Sequence, residues 1–497
     1  MRSTLQRSVA NGGGVARLRL LRHHAGRLAG ASVSPGFEFA SRFARTIILS
    51  RLLTQADFGA AVMLITLLAS CEFLTDVGLE PFVMVHGRLN RAQAVAAARQ
   101  IAIARGVLMA LLIVLFAPLL ADFFGAKSHV DSIRWLSIVP LVRGFRNLRT
   151  VQIQSEYRYR PEAMSKVVAD LGALVVVLPA TAWFQDERAM LASLIVEAAL
   201  YVMISHFAMP SERVRAVDPV VRWAALTFGL PLMANGMGLI MLSQFDRMII
   251  SNLFGLETLA LYSVVFNLAN APISLFMMTF GRVLLPFLVR SQDAPAKSQE
   301  TSLTAVWSVF AAAASYALAV GVLLDLVVPL LYGRQYQVNS GLLYALVTLI
   351  VFSRFCRSGL SAIFLVHSET GRLTGANLLS GIGLVVGLLL GVFYRRVEGV
   401  MVGLLIGDML SLLALLKLAS GRLSLRAAGY HLTLLAFPAL LAAIGALHGD
   451  SINVEVRALI VAAGVLVIGL DIVMAYQSSW WTIKEDPAKL TVKRDGS

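Results

Sequence analysis

The chain has 497 residues, 58% of them hydrophobic and 14% charged, with a mean hydropathy of +0.75. An ordinary soluble protein carries roughly 25% charged residues, so a soluble globular fold is excluded: it could not bury this much apolar surface. The formal net charge of +14 comes from Lys and Arg scattered between apolar stretches, which excludes a nucleic-acid-binding domain, and the two cysteines, Cys71 and Cys356, lie in apolar segments where neither a disulfide framework nor a zinc site is plausible.

The first thirty residues hold Arg2, Arg7, Arg17, Arg19, Arg22 and Arg27 without an apolar run long enough for a signal-peptide core, and read as a basic cytoplasmic tail, 1–30. Beyond it, apolar stretches of roughly 20 residues recur, each able to cross a ~30 Å hydrocarbon core as a helix. They predict helices near 31–53, 58–79, 101–121, 132–153, 163–184, 189–209 and 229–253. A second series is expected near 258–281, 303–331, 340–366, 373–394, 399–418, 429–448 and 457–477. The expected fold is an all-α polytopic membrane protein of about 14 transmembrane helices, with about twelve the lower bound. With the N-terminal tail inside, the loops and tails on that side carry roughly 26 Lys and Arg against roughly 7 opposite, Arg395 and Arg396 included, so both termini are expected in the cytoplasm. Trp480 and Trp481, directly after the last span, stand where an aromatic interface anchor belongs. The outer loops are short, so function has to be built from the spans; no cofactor and no metal is expected.

Charges inside the spans are expensive and mark function. In the first span Glu38, Arg42 and Arg45 fall at i, i+4, i+7 on one helical stripe, which cannot face lipid because an Arg at the helix centre costs roughly 3 kcal/mol. Glu72 and Asp76 on the second span and Arg105 on the third are expected to pair; fixing helix register is their alternative use. Arg143 with Arg146, and Arg354 with Arg357, are i, i+3 pairs that each present a cationic face, or else snorkel to the headgroups. Asp246 in the seventh span occupies the repeat position of Arg45, so that acid and base would make a gate, unless the carboxylate bonds Arg247 or a helix end. Glu197, Asp325, Asp408 and Asp471 are single acids to which no role is assigned, and His206 and His367 read as interfacial. This set is richer in Arg than in acids, and the planar Arg fork matches phosphate oxygens, so the expected cargo is anionic.

The chain also matches itself. Ile48 to Met63 aligns with Ile249 to Val264 at an offset of 201 residues. Further on, Arg143 and Arg146 meet Arg354 and Arg357, Asp170-Leu171-Gly172 meets Gly381-Ile382-Gly383, and Glu197 meets Asp408, all at an offset of 211. A repeat of six helices keeps its orientation, giving two pseudo-symmetric lobes around a central cavity. The expected organisation is an N-lobe over 31–217, a C-lobe over 218–424, a C-terminal helix pair over 425–479 and a cytoplasmic tail over 480–497.

The run from Arg42 to Leu79, with its LSRLL turn, DFG and DVGL, the stretch from Ile153 to Leu178, and Asp246 to Pro272 together resemble bacterial polysaccharide flippases of the multidrug, oligosaccharidyl-lipid and polysaccharide exporter superfamily. The resemblance covers residues 30 to 425; Leu261-Tyr262 stands where a Gly-Tyr pair is common in that family. It implies a transporter and not an enzyme: a flippase moving a polyprenyl-diphosphate-linked oligosaccharide from the cytoplasmic to the periplasmic leaflet of the inner membrane by alternating access, for O-antigen, exopolysaccharide or capsule. The partners it implies are that lipid-linked sugar, membrane lipids, and polysaccharide polymerase and chain-length proteins. Arg42, Arg45, Arg105, Arg143, Arg146, Arg354 and Arg357 are the expected cavity cations, and Glu72, Asp76 and Asp246 the expected coupling or gating acids. A coupling ion is not compulsory, since two negative charges moving outward gain roughly 4 to 5 kcal/mol per 100 mV. The alternatives are a multidrug efflux antiporter of the same superfamily, which favours acidic and aromatic cavity walls, and a membrane glycosyltransferase or polymer ligase, which needs larger outer loops.

Overall fold

The structure, a computed structural model, describes residues 35–86, 91–156, 158–210, 217–291, 295–337, 340–366, 369–419, 425–447 and 454–484. The predicted N-terminal tail, His367 and positions 485–497 of the predicted C-terminal tail lie outside the described residues, as do the side chains of Trp480 and Trp481. Among the described residues the regular structure is helical, and nine helices are long and apolar enough to cross a membrane. This is a multi-pass membrane protein. The chain divides into two compact units, Met1–Ala260 and Leu261–Ser497.

The first unit opens with α1, residues 35–52, and α2, Gln55–Leu74. Thr54 separates them with an extended backbone (φ −65°, ψ 162°), and its Oγ1 accepts the Asp57 amide at 3.2 Å as an N-cap. α2 ends at Leu74 rather than near the predicted 79, and a turn through Gly78 (φ 57°) leads into the short α3, Leu79–His86. α4, Arg91–Phe123, is a long span whose Leu108, Leu111, Leu115 and Leu119 are more than half exposed along one face. That face belongs against hydrocarbon, because leucines at i, i+3/i+4 spacing form a continuous apolar stripe.

Sequence patterning predicts one helix over 132–153; the structure instead has α5, Val130–Leu136, α6, Ile138–Arg143, and α7, Arg149–Gln152. Pro140 lacks a ladder donor, and the chain leaves the helix after Arg143, where Asn147 bonds outward. The Asn147 amide donates to Ser205 Oγ at 3.1 Å and its Nδ2 to the Met209 carbonyl at 2.7 Å. α8, Arg160–Phe184, and α9, Arg188–Ala208, pack along each other, joined where Gln185 takes a left-handed backbone (φ 56°). α10, Pro219–Ser243, rests on α2, α3 and α4, and Ala225 joins Val77, Leu79, Phe82, Ala94, Ala98 and Leu148 in one buried cluster.

α11, Phe245–Ser291, runs on through both units, but at Gly255 the backbone turns to φ 83°, ψ 177°, so it is two helices joined at that residue. Gly255 lies 201 residues after Thr54, so the backbone breaks at the equivalent position within each of the two matched stretches.

The second unit contains α12, Pro295–Tyr332, α13, Gly341–Val366, α14, Thr370–Tyr394, α15, Val397–Ala419, α16, Leu425–Leu447, and α17, Val454–Lys484. α14 and α15 touch through backbone: a Cβ on Gly403 would lie 2.1 Å from the Gly387 nitrogen, and one on Gly407 2.5 Å from the Ser380 carbonyl oxygen. Only glycine permits that approach. α16 and α17 are bound into the unit: α16 packs on α12 and α13, while Arg457 of α17 forks onto Asp325 of α12 at 2.6 and 3.0 Å.

Candidate functional site

The first unit encloses a cavity of about 650 Å³ walled by α1, α2, α3, α4, α6, α8, α9 and the turn after α6. Its charged lining is nearly balanced: carboxylates from Glu38, Glu72, Asp76, Glu80, Asp170 and Glu197, and cations from Arg42, Arg105, Arg143, Arg146 and Lys166. The expectation of a set richer in Arg than in acids is corrected here. Helix packing draws in acids such as Glu80 and Asp170 that lie far in sequence from the arginines they face.

A ladder of alternating charge runs from the buried Arg45, behind this lining, to Glu72 on the cavity wall. Arg45, 5% exposed, donates from Nη1 to Ser193 Oγ at 2.8 Å and to Glu197 Oε2 at 3.0 Å. The other oxygen of Glu197 accepts Arg143 Nη2 at 2.9 Å, and Arg143 Nη1 donates to Glu72 Oε1 at 2.5 Å. Four helices, α1, α9, α6 and α2, are thereby tied by three ion pairs. α6 ends at Arg143, and Arg146, in the turn that follows, lines the same cavity but takes a different partner. Arg146 instead bonds Glu80 of α3 at 2.5 Å, and that guanidinium holds the Glu80 carboxyl below the usual carboxylate range.

Arg105 reaches the C-terminus of α2, donating to the Glu72 carbonyl at 2.9 Å and to Thr75 Oγ1 at 3.0 Å, with Asp76 at 3.9 Å. It serves the end of a helix, where carbonyls lack partners and the dipole favours a cation. Among the described residues Arg42 pairs with Glu38, one turn away at 2.7 Å, and it is 54% exposed at the cavity wall. Asp246 is buried and accepts the Arg247 amide at 2.9 Å, while Arg45 spends its guanidinium on Ser193 and Glu197 of α9.

In the second unit Arg354 and Arg357 both bond Asp408, at 2.7 and 3.0 Å, and Arg354 lies over the ring of Phe266 at 4.9 Å. Four acids to which the sequence assigned no role therefore have partners: Glu197 binds Arg45 and Arg143, Asp408 binds Arg354 and Arg357, Asp325 binds Arg457, and Asp471 accepts the Trp307 indole at 2.5 Å. The shared offset of the Arg and acid positions was the one signal that could have paired the first two.

Against the known families, residues 48–340 match the family model described as polysaccharide biosynthesis protein. The chain belongs to that family. Two curated relatives agree in name: the succinoglycan biosynthesis transport protein ExoT of Rhizobium meliloti (strain 1021), 27% identical over 54% of this chain and 54% of its own length, and the amylovoran biosynthesis protein AmsL of Erwinia amylovora, 28% identical over 19% and 24%. The matched region thus spans about half of ExoT. Among solved structures, the chain shares its fold with the lipid II flippase MurJ in an inward closed conformation, at TM-score 0.66 and 12% identity over 90% of this chain and 98% of that one. An inward-facing multidrug resistance MATE transporter of the MOP superfamily is similar at TM-score 0.58 and 15% identity, over 79% and 96%.

Proposed function

We infer that this protein is a flippase that carries a polyprenyl-diphosphate-linked oligosaccharide from the cytoplasmic to the periplasmic leaflet by alternating access. In this reading the protein sits in the bacterial inner membrane with both termini in the cytoplasm, and its product feeds surface polysaccharide assembly. One observation carries it: Arg143, a fork-shaped cation among apolar helices, faces a cavity large enough for a headgroup and is held there by two carboxylates. A diphosphate offers the same planar pairs of oxygens that Glu72 and Glu197 now present. Family membership, the transport protein ExoT and the fold shared with a lipid flippase all support transport of a lipid-linked substrate.

The test is the leaflet position of the polyprenyl-diphosphate sugar in cells lacking the protein and any substitute transporter. Accumulation in the inner leaflet with loss of surface polysaccharide is the expected result; unchanged export and leaflet distribution overturns it. The lining carboxylates, together with the MATE fold, favour a second reading as a cation-exporting multidrug antiporter. Raised sensitivity to organic cations in the same cells, with export intact, would be its signature.

A further inference from the structure

The two carboxylates on Arg143 are not equivalent. Glu197 is held from both sides, by Arg45 and by Arg143, and its side chain is 10% exposed. Glu72 makes one side-chain bond, to Arg143, and is 35% exposed toward the cavity. The second unit reproduces the first contact but not the position of the second acid. Asp408 stands on Arg354 as Glu197 stands on Arg143, whereas the residue 201 positions after Glu72 is Ile273. Neutralising a buried arginine therefore accounts for Glu197 and Asp408, and leaves Glu72 to be explained.

Glu72 is also placed so that it can leave. Its backbone carbonyl is pinned by Arg105 at 2.9 Å, close to the end of α2, while its side chain points into open volume. Rotation about its χ angles releases Arg143 Nη1 without moving a helix. The ladder from Arg45 to Glu72 is electrically neutral as it stands, two guanidinium and two carboxylate groups, so an entering anion must displace a carboxylate rather than add to it. Of the two, Glu72 is the one with the weaker hold and the open side.

We propose that Glu72 is a resident stand-in for the cargo: in the cargo-free protein its carboxylate occupies the seat on Arg143 that a phosphate oxygen takes, and binding proceeds by exchange of one for the other. This rests on the flippase reading for the identity of the anion. The consequence is a binding site tuned to be weak. Each headgroup must compete with an attached carboxylate, and the same carboxylate returns to Arg143 to expel it, which a transporter needs for release.

The test titrates inorganic pyrophosphate into the purified full-length protein in lipid nanodiscs. Glu72→Gln keeps the shape but removes the competitor, and is expected to bind pyrophosphate on the order of tenfold more tightly than wild type, the scale of a close charge pair. Glu72→Asp, whose shorter arm loosens the contact and which guards against a Gln variant that fails to fold, should lie between the two. Arg143→Gln should lose binding. Equal or weaker binding by both Glu72 variants overturns the stand-in role and leaves the flippase reading untouched, since that reading is judged by leaflet position. Absence of pyrophosphate binding in wild type and both variants overturns the anion site itself.

Discussion

Arg143 Nη2 lies 2.9 Å from Glu197 Oε1, and 211 residues later Arg354 Nε lies 2.7 Å from Asp408 Oδ2. Each unit thus holds an Arg–acid pair at matching positions of the sequence repeat, between the helix that carries the arginine and the one that carries the acid. In both, the acid is the more deeply buried partner. Removing one member of a buried pair strands the other, at a cost of about 3 kcal/mol or more. Asp408→Asn strands two arginines and should lower the thermal midpoint of the detergent-solubilised protein clearly. An unchanged midpoint would mean that water reaches Arg354 and Arg357 and replaces the carboxylate.

Arg42 and Arg45 are three residues apart and have different tasks. Arg45 is buried against Ser193 and Glu197, so Arg45→Ala should reduce the amount of folded protein in the membrane, and Arg45→Lys should restore part of it. Arg42 is half exposed on the cavity wall and, among the described residues, pairs at i, i+4, so Arg42→Ala should change stability by less than about 0.5 kcal/mol. Its effect should fall on export. Membrane abundance and surface polysaccharide, measured side by side, separate the two cases.

The contact between α14 and α15 predicts a steep dependence on side-chain size. Gly403→Ala places a methyl 2.1 Å from the Gly387 nitrogen, and backbone cannot yield as a side chain can. Folded yield should drop sharply. Gly371→Ala, at a helical position with nothing within 4 Å of the added carbon, should be neutral or slightly stabilising. Comparable losses for both would point to a general intolerance of alanine in these helices.

α17 is fastened to α12 by the Arg457–Asp325 fork and by Trp307 on Asp471. Truncation before Val454 should therefore destabilise the second unit and expose it to proteolysis, and Asp325→Asn should do so to a lesser degree. Limited proteolysis in membranes reads both. A truncated chain as resistant as the intact one would make α17 an appendage.

Hydropathy and charge placement in the sequence determined that this is a polytopic helical membrane protein, which segments are apolar enough to span, and which arginines sit among them. These are local properties, since burial in hydrocarbon demands a run of apolar residues wherever the helix goes. The break of the predicted 132–153 span was decided by tertiary contacts of Asn147 with Ser205 and Met209, which no periodicity contains. Pairing was likewise decided only by packing. Arg143 could have turned to lipid headgroups, and Glu197 could have remained alone; Glu72 and Glu197, which it joins, are 125 residues apart in the chain. A buried charge takes whichever opposite charge the packed helices bring within about 4 Å, and that distance exists only once the helices have assembled.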